Sequence, residues 1–167
     1  MRVCVTMLSV LILAGGAWAA EDSLIVPGKS VGRITKATTV EELRQLFGKK
    51  NVTMEELPLG EGETANGAVV YGTNPRQKLQ VAWNDADATR CVQWVRVSGK
   101  ASDWHTSEGI TLGTSLTELE KLNEHPFKLY GFAWDYGGTV AGWQGGKLER
   151  ALKDVRLVLD PGNASGE

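Results

Sequence analysis

Residues 109–143 read GITLGTSLTELEKLNEHPFKLYGFAWDYGGTVAGW, and the fold turns on how they are parsed. Ser115, followed three residues later by Glu118, is the capping-box pattern of a helix N-terminus. Leu116, Leu119 and Leu122 then recur at helical spacing as an apolar stripe. Pro126 ends the helix. Beyond it, 127–134 reads as a strand with Tyr130, Phe132 and Trp134 on one face and Leu129, Gly131 and Ala133 on the other. Asp135-Tyr136-Gly137-Gly138 is a turn, and 139–143 returns as a second strand. Residues 148–154 suit a helical turn or an irregular edge, and 155–159 a last strand ended by Asp160-Pro161-Gly162.

The opening of this stretch has an echo upstream. Ile34-Thr35 recurs as Ile110-Thr111, and Thr39-x-x-Glu42-Leu43-x-x-Leu46 recurs as Ser115-x-x-Glu118-Leu119-x-x-Leu122. The offset is constant, since 110 − 34 and 115 − 39 both give 76. Self-similarity at a fixed spacing points to duplicated structural units. The first unit has its own capped helix at 39–48, with Val40, Leu43, Leu46 and Phe47 on one face. Residues 21–26 read as an N-terminal lead. Residues 49–67, acidic and interrupted by Pro58, Gly60 and Gly62, read as a long loop with room for a helical turn at 54–57. Strands are expected at 68–72, 78–83 and 91–98, joined by short polar turns as an antiparallel meander.

These elements predict an α+β fold in which two tandem helix–β-meander units, repeat 1 over about 31–98 and repeat 2 over about 109–160, form one antiparallel sheet with both helices packed on one face. The 76-residue offset is expected to hold over the helices only, with a long helix-to-strand connection in the first unit and a short one in the second.

Residues 1–19 read as a signal peptide, with Arg2, an apolar run over 3–14 and Ala17-Trp18-Ala19 as the cleavage site, so the cut is expected before Ala20. The apolar run is shorter than the ~20 residues a membrane span needs. This predicts an exported, periplasmic or secreted protein, a single domain over 20–167, with no stable membrane insertion after cleavage. Of the 18 basic residues 17 remain beside all 20 acidic ones, and no basic block exists to track phosphates, so nucleic acid is not an expected partner. Cys91 is the one cysteine left after cleavage, so the domain is held by its core rather than by a disulfide. Cys91 itself reads as a half-buried residue at a strand start.

No constellation predicts chemistry. His105 and His125 stand alone, without the close ligand spacing of a metal site. Asp103, His105 and Ser107 are adjacent on one extended segment and cannot all converge. Asp85 and Asp135 read as turn residues rather than as a pair of catalytic carboxylates. Catalytic residues, metal ligands and cofactors are therefore all expected to be none. The aromatic residues allow two readings: core packing, or an exposed patch of binding anchors. On the second, Tyr130, Phe132, Trp134, Tyr136 and Trp143 are the candidate binding residues.

The phrase I-T-x-x-T-[ST]-x-x-E-L-x-x-L ahead of a meander, twice over, resembles the β-lactamase-inhibitor-protein fold group. It is also similar to two tandem copies of the small lipoprotein subunit of the outer-membrane β-barrel assembly machinery. The phrases GITLGTSLTELEKLN and GFAWDYGG further resemble those of a set of uncharacterised exported bacterial proteins. The resemblance implies a domain that binds other proteins and performs no chemistry. The chain departs from the inhibitors in lacking their paired cysteines, and from the assembly subunit in lacking a lipid-bearing cysteine. The expected function is a non-enzymatic module that binds an envelope or extracellular protein through an aromatic sheet face. A small-ligand or glycan binder using Trp134, Tyr136 and Trp143 is the alternative, and an envelope hydrolase the third.

Overall fold

The computed structural model describes residues 22–60, 62–84, 91–99, 101–133 and 136–161. The expected signal peptide, the Asp85-Asp87 turn, Trp134 and Asp135 lie outside the described residues. The chain runs through Leu24–Val26 (β1), Ser30–Val31 (β2), Ile34–Thr35 (β3), the helix Val40–Phe47 (α1), and four strands, Val52–Gly60 (β4), Glu63–Val70 (β5), Leu79–Trp83 (β6) and Val92–Val97 (β7). It continues through His105–Thr106 (β8), the helix Leu116–Asn123 (α2), Lys128–Leu129 (β9), Val140–Gly142 (β10) and the short helix Leu148–Ala151 (α3). The fold is α+β.

The duplication holds at atomic detail. The backbone N–H of Thr35 donates to Thr38 Oγ1 at 2.9 Å, and that of Thr111 donates to Thr114 Oγ1 at 2.9 Å. Both helices then open on a complete capping box. The N–H of Thr39 donates to Glu42 Oε2 at 2.9 Å and that of Ser115 to Glu118 Oε2 at 2.8 Å, while each hydroxyl accepts from the glutamate N–H at 3.2 Å. A first turn has N–H groups with no partner inside the helix, and the box satisfies two of them reciprocally. Ile34 and Leu43 are buried, as are their counterparts Ile110 and Leu119. The offset also reaches the first strand of each meander, since β4 starts at Val52 and β9 at Lys128, again 76 apart. The helix-to-strand connections, 48–51 and 124–127, are therefore equal in length, not long and short.

The expected long loop at 49–67 is a β-hairpin. β4 pairs antiparallel with β5 from Val52↔Val70 to Gly60↔Glu63. The residues that read as breakers fit this hairpin. Gly60 and Gly62 have positive φ at its turn, and Pro58 lies on an edge strand next to an irregularity in the pairing, where its missing N–H is tolerated. One face of β4–β7 carries Val52, Ala68, Val70, Leu79, Val81 and Trp83 onto Leu43 and Phe47 of α1. Each large apolar side chain buried there contributes about 2 kcal/mol. The Trp83 indole N–H donates to Thr38 O at 2.8 Å, fixing the sheet to the residue just before the helix cap.

The strands form three separate sheets, ordered β3-β2-β1-β8, β4-β5-β6-β7 and β10-β9, rather than one. The second meander is too short to extend the first: β9 and β10 cover two and three residues. The segment 155–159 joins through the bridge Thr139↔Val158. The buried residues accordingly form separate clusters. One lies between α1 and β4–β7; another gathers Ile110, Leu119, Trp143, Leu148 and Leu152. In α2 the buried positions are Leu119 and Asn123, while Leu116 and Leu122 are exposed, so the expected three-leucine stripe is not the packed face. Asn123 holds the second cluster together. Its amide donates to His125 O and Trp143 O at 2.8 and 2.9 Å, and its Oδ1 accepts from the Leu148 N–H at 3.1 Å.

The expected N-terminal lead contains the seam of the molecule. β1 pairs antiparallel with β2 and parallel with β8, so residues 24–26 lie between the strand entering the first repeat and the strand entering the second.

Candidate functional site

The expected aromatic ladder along 127–134 does not form, because regular pairing in β9 stops at Leu129. What forms is a compact patch on the outer face of the second meander. The N–H of Tyr130 donates to Thr139 O and that of Gly138 to Tyr130 O, both at 2.9 Å, which closes the intervening loop. Gly138 has φ 76 and fits because a Cβ there would overlap Leu159 O and the ring of Phe132. The N–H of Val140 donates to Leu157 O at 3.0 Å and that of Leu159 to Gly138 O at 2.8 Å, which sets 155–159 alongside. Along that segment Val155, Leu157 and Leu159 are half-buried against the second core, and Arg156 and Val158 are exposed. The alternation is that of a strand with one face in the core.

Tyr130 is 50% exposed, Tyr136 60% and Val158 59%, and Phe132 is exposed beside them. The tyrosine rings lie 6.3 Å apart at 48°. The Arg156 guanidinium stacks on Tyr136, 5.3 Å from the ring centre. Such a contact holds a long, flexible cation in place at the rim. An open groove of about 610 Å³ runs past these residues, lined by Tyr130, Tyr136, Thr139, Lys153, Asp154 and Arg156, among others. Lys153 Nζ lies 4.0 Å from Asp154 Oδ2.

Of the candidate residues, Tyr130, Phe132 and Tyr136 come together here. Trp134 lies outside the described residues. Trp143 does not belong to the site: it is 8% exposed and packs on Phe127 with ring centres 5.1 Å apart, inside the second core. Trp83 and Trp104 are core residues too, and Trp94 is half-buried beneath the Arg96 guanidinium. Cys91, expected to be half-buried, is exposed with φ 53, because it lies just before β7 starts. Sequence reading missed Thr139, Lys153, Arg156 and Val158. The alternation of Val155-Arg156-Leu157-Val158-Leu159 was the available signal, since it sets Arg156 and Val158 together on the face away from the core.

Elsewhere, Asp103 is held by Arg76 at 2.6 and 3.0 Å, which raises the guanidinium pKa through that hydrogen bond and then through the charge. His105 Nδ1 lies 3.1 Å from Asp103 O, and the Ser107 hydroxyl donates to Glu108 Oε1 at 2.9 Å. The three side chains therefore each have a different partner. Among the described residues no helix is long and apolar enough to cross a membrane. No family model, curated protein or solved structure matches the chain.

Proposed function

We propose that this chain is an exported, non-catalytic binding module that holds a polypeptide partner at the patch formed by Tyr130, Phe132, Tyr136 and Arg156. The observation that carries the reading is the exposure of these aromatics. Trp83, Trp104, Trp143 and Phe47 are buried, whereas Tyr130 and Tyr136 stand out to solvent at 50% and 60% exposure with a guanidinium stacked alongside. Tyrosine and arginine are the residue types that concentrate binding energy in protein interfaces. Their shape and charge suit a peptide chain, which offers both apolar side chains and carboxylates. The glycan alternative loses support because Trp143, one of its three stacking residues, is in the core.

Selection from a random-peptide display library tests the reading. Wild-type protein is expected to enrich a peptide family, and Tyr136→Ala to lose it with unchanged circular dichroism. Tyr136 is exposed and makes no core contact, so the substitution leaves folding intact. Equal enrichment on the variant, or none on the wild type, overturns the proposal.

A further inference from the structure

We infer that the partner binds as an added β-strand along the free edge of 155–159 and that it is an acidic, extended segment; this rests on the polypeptide reading above. Leu157 and Leu159 direct their backbone hydrogen bonds inward, to Val140 and Gly138. In an antiparallel pair the bonding direction alternates along the strand. The N–H and C=O groups of Val158, which is bridged to Thr139 between those two bonds, therefore point away from the Gly138–Val140 segment. Beside them lie the tyrosine pair and the groove. An extended chain laid there would gain main-chain hydrogen bonds along the edge, and its side chains would alternate onto the patch.

The charge of the patch argues for the acidic partner. Two cations, Lys153 and Arg156, line the groove against the single lining carboxylate Asp154, which is already beside Lys153. Edge strands that must stay single are protected by prolines, inward-pointing charges or covering elements. β4, at the edge of the four-stranded sheet, carries Glu55, Glu56 and Pro58. The segment 155–159 has no proline, and exposes an apolar Val158 next to its single arginine.

Fluorescein-labelled decapeptides of alternating valine and glutamate, valine and lysine, and valine and glutamine provide the probes, read by anisotropy with the full-length protein. The glutamate peptide is expected to bind at least about tenfold tighter than the lysine peptide and to weaken as salt is raised. Val158→Pro removes one outward N–H while leaving the inward bonds of Leu157 and Leu159 in place. It is expected to weaken binding about fivefold, the worth of one hydrogen bond. Methylating alternate amide nitrogens of the glutamate peptide tests the same bonds without altering the protein and is expected to abolish binding in one of the two registers. Indifference to peptide charge, or to both methylation registers, overturns the inference. If library enrichment is still lost in Tyr136→Ala, the polypeptide reading survives that failure. Salt-sensitive self-association of the protein that blocks the edge would overturn the inference by making a second copy the occupant.

Discussion

At the scale of single residues, the carboxylate of Glu118 shows how a helix start becomes sensitive to acid. The backbone N–H of Ser115 donates to it and the Ser115 hydroxyl adds a second bond at 2.8 Å, and together they lower its pKa below the ordinary 4.5. A carboxyl whose pKa is lower folded than unfolded holds fewer protons in the native state. Its contribution is therefore present above the unfolded value and disappears as pH falls through 4.5 and past the lower folded value. Urea midpoints measured from about pH 6 down to about pH 3 should thus fall less steeply in Glu118→Gln than in wild type, because glutamine caps without titrating. Identical slopes would show that the box contributes nothing through its charge. This box was legible in the sequence because everything it needs lies within four residues. The fate of Trp143 was not. Its burial depends on Phe127 and on Asn123, which lies 20 positions away in sequence, and no local pattern carries that information.

At the scale of elements, the β4–β5 hairpin explains the largest departure from the sequence reading. Pro58, Gly60 and Gly62 carry the composition of a loop, and composition does not distinguish a loop from an edge strand and its turn. The deciding feature is long-range. Leu57 is buried with Val69 and Ala82 on the sheet face away from α1, and Trp94 packs against them. Arg96 reaches from β7 to Pro58 O at 3.3 Å, so the end of the hairpin curls over that face. Gly67 permits the bend, since a Cβ there would meet Leu57 and come within 2.6 Å of Val81 O. Leu57→Ala should cost about 3 kcal/mol by opening a cavity beneath the hairpin. Denaturant unfolding followed by fluorescence checks this, because Trp94 lies in the same cluster. A loss under about 0.5 kcal/mol would mean that the hairpin hangs free. The helices were legible because caps and apolar spacing are local. The site was half legible: Tyr130, Phe132 and Tyr136 stood out as aromatic, but Arg156 and Val158 reach the patch only through the bridge to Thr139.

At the scale of the whole molecule, two similar units have to be held as one body although their buried residues form separate clusters. The physical link is β1. Ile25 is opposite Val31 of the first repeat on one side and Thr106, in the strand that leads into the second, on the other. The turn after β1 also meets the second repeat, where Gly28 leaves no room for a Cβ beside the Asp154 carboxylate. A strand paired on both sides cannot accommodate proline, which lacks an N–H and disrupts the ladder. Ile25→Pro should therefore uncouple the repeats rather than simply weaken both. In wild type, hydrogen-exchange loss in urea at Leu43 in the first core should coincide with that at Leu119 and Leu152 in the second. In Ile25→Pro the two curves should separate, the second repeat melting first because its strands are two and three residues long against five to nine in the first. Coincident curves in the variant would place the coupling elsewhere, with the Gly28–Asp154 contact as the next place to cut. Separation would also predict that peptide binding at Tyr136 weakens as the second repeat loosens, since Tyr130, Thr139 and the 155–159 segment are held by that repeat's own backbone bonds and core.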